Sequence, residues 1–142
     1  MRSRAPLVLM EQLVMVLVFA LAAALCVQVF AFSDRASRHY ADQDRAVAAA
    51  QNAAEVLKGC GGDFAEAAGQ YGGDWNGAVW GISYDGDWQP CQEQSRAAYH
   101  VLVTPAESDQ PLLGCAQAAV YTASGEMLFS IPVAWQEVTG HA

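Results

Sequence analysis

The groups in this chain that can do chemistry are four cysteines, three histidines, an aspartate pair around a glycine, and one glutamate set in hydrocarbon. Glu11 is the outlier: it stands near the start of LVLMEQLVMVLVFALAAALCVQVFAF, Leu7 to Phe32, a run preceded by Arg2 and Arg4. A carboxylate at the hydrocarbon depth of a bilayer costs about 2.5–3.5 kcal/mol on insertion scales, so it needs a compensating role. Where apolar helices stack on one another, such an acid is tolerable if a positive group meets it, and the free amine of a neighbour's N-terminus is a natural partner. The acid then sets the register of stacking. With Glu11 at headgroup level instead, Leu13 to Phe32 spans alone and Leu7 to Met10 lies in the interface.

Of the thiols, Cys26 falls inside the apolar run, leaving Cys60, Cys91 and Cys115 beyond it. Three pairings are open, with one thiol left over. Cys115 alternates with Leu113 and Tyr121 and reads as a buried small apolar residue. Cys60 and Cys91 sit among glycine, proline and polar residues at element ends, which favours a Cys60–Cys91 disulfide. No metal site is expected: there is no Cys-x-x-Cys, and His39, His100 and His141 are scattered. Asp85 and Asp87 around Gly86 fit a hairpin turn better than an acid pair or a calcium loop. Asp74 and Asn76 add little to the calcium reading, since no glutamate stands beyond them at the required spacing. His100 has no recognisable nucleophile beside it in the sequence. Trp75, Trp80, Trp88 and Trp135 could line a sugar or peptide groove, but core and sheet packing is the expected use. Without a glycine-rich phosphate loop either, neither an enzyme nor a cofactor is expected.

These residues must be positioned by the elements around them. Leu13 to Phe32 supplies twenty residues, about 30 Å of helix, enough to cross a bilayer. Its length exceeds the roughly 7–15 residues of a cleaved signal, which favours a retained helix over cleavage at Ala31-Phe32-Ser33. Leu25 before Cys26 argues against a lipoprotein. Arg2 and Arg4 hold the start in the cytoplasm, so the chain beyond the span is expected outside. From Ser33 onward five basic residues face fourteen acidic ones, a net charge of −9. Such a surface repels phosphate backbones and disfavours a nucleic-acid partner.

The part after the span suits one compact domain. Ser33 to Leu57 is free of proline and rich in alanine, with Tyr40, Val47 and Ala54 seven apart and Ala36, Ala50 and Leu57 beside them. This is a narrow apolar stripe on a helix, continuous with the apolar run as a rod of roughly fifty residues. Gly59, Gly61 and Gly62 stop it. Asp63 and Glu66 form a capping-box pattern for a short helix that ends at Gly72-Gly73. The period then changes to two. Trp80, Ile82 and Tyr84 alternate before the Asp85-Gly86 turn, followed by Tyr99, Val101 and Val103. Leu113, Cys115, Gln117, Ala119 and Tyr121 come next, then a Ser124-Gly125 turn and Met127, Phe129, Ile131, Val133 and Trp135. The expected fold is α+β: a long N-terminal helix, half membrane-embedded and half amphipathic, packed on three or four antiparallel strands. The expected divisions are a leader at 1–6, an assembly helix at 7–32 and an exported head at 33–142.

This order of elements resembles the type IV pilin and type II secretion pseudopilin superfamily. The segment Leu7-Val8-Leu9-Met10-Glu11-Gln12-Leu13-Val14 is similar to its prepilin signature, in which a peptidase cuts just before a hydrophobic residue and glutamate is fifth in the mature chain. The resemblance implies Leu7 as the new N-terminus, Glu11 as the assembly acid, and the Pro6–Leu7 bond as the processing site. It also implies membrane lipid, other pilin-like subunits and a prepilin peptidase as partners. The implied role is a structural subunit of a type IV pilus, type II secretion or DNA-uptake filament; the alternative is a non-polymerising, membrane-tethered extracytoplasmic binding domain. Two departures stand out. Pro6 occupies the place of the family's glycine or other small residue, and no helix-kinking proline occurs between Leu7 and Phe32.

Overall fold

The computed structural model describes residues 4–137; Arg2 and His141 lie outside the described residues. The elements run α1 (Ala5–Gly59), α2 (Phe64–Tyr71), β1 (Asp74–Trp75), β2 (Trp80–Tyr84), β3 (Tyr99–Ala106), β4 (Leu113–Thr122) and β5 (Met127–Gln136). The fold is α+β, as the sequence suggests, with five antiparallel strands in the order β1-β2-β3-β4-β5. The chain divides into two compact units, one up to Ala41 and one from Asp42.

Helix α1 forms because nothing interrupts it. Pro6 falls in its first turn, where a missing N–H costs nothing, and the next proline is Pro90. It ends in a Schellman motif. The Gly62 N–H donates to the Leu57 carbonyl and the Gly61 N–H to the Lys58 carbonyl, both at 3.0 Å, with Gly61 left-handed at φ +62. At the start of α2 the Asp63 carboxylate accepts from the Glu66 N–H at 3.0 Å. The reciprocal half of the expected capping box does not form. The Asp63 N–H donates to the Cys60 carbonyl, while the Glu66 carboxylate accepts from the Gln70 amide.

The buried stripe of α1 is Ala46, Ala49, Ala50, Ala53, Ala54 and Leu57. It differs from the stripe expected at Tyr40, Val47 and Ala54: Tyr40 is 65% exposed and Val47 lies at the margin. Tyr40 belongs to the first unit. The stripe shares one core with Trp80, Ile82, Tyr84, Val101, Val103, Ala116, Ala118, Val120 and Val133 of the sheet. Trp80 is fully buried, and its indole N–H donates to the Gly72 carbonyl at 2.9 Å.

The inward face of β4 is Gly114, Ala116, Ala118 and Val120, the set opposite to the one expected. Cys115, Gln117, Ala119 and Tyr121 point to the other face of the sheet. Gly114 is needed there, because a Cβ on it would run into the indole of Trp135, its register partner on β5. A Cβ on Gly62 would meet the same ring atoms. Pro132 sits on the edge strand β5, and Pro105 lies past the last β2–β3 pair, Trp80↔Val103; both places spare a ladder bond.

Candidate functional site

The first unit is α1 up to Ala41. Its most apolar window of eighteen residues has a mean hydropathy of 2.8, and none of it is buried. A core helix of that composition would be covered. Here Leu7 and Leu13 are each about 70% exposed, as are Phe19, Phe30 and Phe32 at 75% or more. By length and composition, this helix can cross a membrane. Glu11 projects from it in the second turn, exposed, with no ion pair among the described residues. Pro6 and Leu7 are both inside the first helical turn. Just beyond the apolar segment, Arg38 pairs with Asp34 at 3.2 Å.

In the second unit the residues singled out by sequence separate. All four cysteines are free thiols. The expected Cys60–Cys91 disulfide is absent, and the strand order gives the reason. The Cys91 N–H is bonded to the Ser83 carbonyl of β2 at 2.9 Å. Gly62, two residues after Cys60, lies against Trp135 of β5, three strands away. Three strand spacings amount to about 14 Å, well beyond the roughly 7 Å limit for a bridged Cα pair. Cys60 is half-buried against the core, and burial, followed by the charges of Glu66 and Asp63, pushes its thiol above the ordinary value. Cys115 is on the outer sheet face rather than in the core.

The aspartate pair is used by its own loop. Asp85 accepts from the backbone N–H groups of Asp87 and Gln89, each at 2.9 Å, and its own N–H donates to the Gln89 carbonyl. The left-handed residue of this turn is Trp88, at φ +59, not Gly86 as expected. The loop folds back so that Pro90 bridges Tyr84, and β2 then pairs with β3 by a longer route than a two-residue hairpin. Asn76 closes a turn by accepting from Ala78 and Val79. Among the described residues no group of His, Cys, Asp and Glu could hold a metal ion.

The tryptophans pack, as anticipated. Trp88 stacks on Tyr99 at 4.0 Å and 13°, and its indole N–H donates to Asp42 of α1 at 3.4 Å. Trp75 stacks on Phe64 at 4.6 Å, with Trp135 edge-on to the same ring. The Tyr84 hydroxyl is held above its ordinary value first by burial and then by its bond to the Tyr71 hydroxyl at 3.2 Å. Tyr99 is raised by burial and by Asp42.

One juxtaposition has no local signal in the sequence. Ser83 Oγ lies 3.1 Å from His100 Nδ1, a pairing set only by the β2–β3 register, seventeen residues apart. Tyr121 is the next residue in that row on β4, and no carboxylate bonds the His100 ring among the described residues. No protein family, curated protein or solved structure matches the chain.

Proposed function

We propose that this chain is a membrane-anchored, pilin-like structural subunit that acts by self-association or by joining a type IV pilus, type II secretion or DNA-uptake filament. The supporting observation is a single unbroken helix, Ala5–Gly59, whose first part is uncovered hydrocarbon bearing one carboxylate and whose last turns carry the core of a small antiparallel head. Arg4 before the hydrocarbon favours a cytoplasmic N-terminus and an extracytoplasmic head. Lipid covers the exposed apolar face before assembly, and the apolar helices of neighbouring subunits cover it afterwards. A prepilin peptidase acting at Pro6–Leu7 would leave the amine of Leu7 available to the Glu11 carboxylate of a neighbour.

Glu11→Ala removes the charge and keeps a strong helix former, so membrane insertion survives or improves. Assembly does not: crosslinking between neighbouring apolar helices is lost, with Glu11→Asp intermediate. N-terminal sequencing of the same sample places the positive group, at Leu7 if cleaved and at Arg2 or Arg4 of a neighbour if not. Unchanged helix crosslinking in Glu11→Ala would make the chain a non-polymerising tether for its head.

A further inference from the structure

The second unit holds three cations, Arg45, Lys58 and Arg96. Lys58 is paired with Glu55 and Arg96 with Glu93, each from three residues before it. Arg45 makes no ion pair among the described residues, and the helix shows why. The helix positions that could reach it, three and four residues away, are Ala41, Asp42, Ala48 and Ala49. The one acid among them, Asp42, accepts instead from the Trp88 indole N–H at 3.4 Å. The Arg45 guanidinium therefore keeps its fork of N–H donors for something else.

Arg45 also lines a groove of about 280 Å³ that lies wholly within the second unit. Asn52, two turns and about 10 Å further along α1, brings an amide to the other end. Between them Ala48 and Ala49 supply a low floor. The wall is made by Trp88 and Pro90 with the rings of Tyr71 and Tyr84. That wall is set before anything binds, because Trp88 is stacked on Tyr99 at 4.0 Å and the Tyr71 and Tyr84 hydroxyls are bonded to each other at 3.2 Å. Their bond uses one hydroxyl proton and leaves the second as a donor. No carboxylate lines the groove. It is thus rich in donors at its ends and apolar between them.

We propose that this groove binds a small aromatic carboxylate, with the carboxylate on Arg45 and the ring lying over Ala48 and Ala49 against Trp88 and Pro90. A planar carboxylate matches the guanidinium fork through two parallel hydrogen bonds. A bare phosphate would leave the apolar wall unused, and a neutral sugar would leave the guanidinium unmatched. The volume falls just under the roughly 300 Å³ at which drug-sized sites begin, so the ligand is a single ring. A hydroxyl opposite the carboxylate would meet Asn52. The acidic charge of the head opposes an anion at long range, but that repulsion is largely screened beyond about 8 Å at physiological salt. The site stands whether or not the apolar helices build a filament, and Glu11→Ala leaves it intact.

The test is fluorine NMR of the full-length chain in detergent micelles, with 5-fluorotryptophan at its four tryptophans and the Trp88 signal identified by Trp88→Phe. The probe is 4-hydroxybenzoate. The expected result is a saturable shift of the Trp88 signal, while that of Trp135, which lies outside the groove, does not move. Arg45→Gln weakens binding at least about tenfold, and Arg45→Lys, which keeps the charge without the fork, falls between it and the parent. Asn52→Ala costs about two- to tenfold. Arg45 and Asn52 are exposed, so these variants fold, and an unchanged Trp135 signal verifies it. The neutral isostere 4-hydroxybenzamide binds the parent at least about tenfold more weakly than the acid. Absence of a saturable Trp88 shift, an equal shift at Trp135, undiminished binding by Arg45→Gln, or an amide that binds as tightly as the acid would each overturn the proposal.

Discussion

Trp135 gives the sharpest test of how the head is packed, because two glycines make room for the same ring by different means. Gly114 has ordinary strand geometry, so Gly114→Ala forces only a steric shift of the indole, an overpacking cost of about 1–3 kcal/mol. Gly62 has the same clash and is also left-handed at φ +88, which adds about 1–2 kcal/mol for any residue with a Cβ. Replacing Trp135 by Val removes the ring and separates the two terms. In that background Gly114→Ala becomes neutral or slightly stabilising, since alanine restricts the unfolded chain, whereas Gly62→Ala keeps its backbone cost. The measurement is thermal unfolding followed by near-ultraviolet circular dichroism on the full chain in detergent. For a unit of this size 1 kcal/mol moves Tm by about 4–8 °C, so Gly114→Ala lowers it by roughly 5–20 °C in the parent and hardly at all beside Trp135→Val. Equal losses in both backgrounds would show that the indole is not what Gly114 accommodates.

The thiols and the hydroxyls give two further outcomes. Denatured without reductant, the chain takes up four maleimides, one for each free cysteine, and a mass two units light would contradict the unbridged arrangement of Cys60 and Cys91. Cys60, Tyr84 and Tyr99 are all raised in the folded chain above their ordinary values of 9.0, 10.0 and 10.0, so the native state binds more protons than the unfolded one at alkaline pH. Their contribution is complete below about pH 9 and is lost as pH rises further, so the urea midpoint falls between about pH 8 and about pH 10.5; a midpoint that climbs over that range contradicts the assignment.

Much of the architecture is legible in the sequence because its signals are local. The proline-free run from Leu7 to Gln89, the glycines after Leu57 and the alternation of Trp80, Ile82 and Tyr84 each fix an element by themselves. Strand β4 misleads because both of its faces are apolar or small. Leu113, Cys115 and Tyr121 look more like core than Gly114, Ala116 and Ala118 do, and only the Trp135 ring and the alanine stripe above them make the smaller set the inner one. The two-residue strand β1 is too short to carry a period. The Ser83–His100 pair and the separation of Cys60 from Cys91 depend on strand register and order, which no local pattern encodes. Glu11 is visible in the sequence because its rarity in hydrocarbon is itself the signal.

The alanine stripe carries almost no positional information. Moving α1 along the sheet by four residues, about one turn, puts Ala50 where Ala46 was, Ala54 where Ala50 was and Ala53 where Ala49 was, so the middle of the interface is indifferent to a slide of about 6 Å. What forbids the slide lies at the two ends. Leu57 would take the place of Ala53 and vacate its own site to Gly61, while Asp42 would leave the Trp88 indole. The register of the helix on the sheet thus rests on those two contacts, Leu57 in its core site and Asp42 at the Trp88 indole, with alanines between them that do not choose.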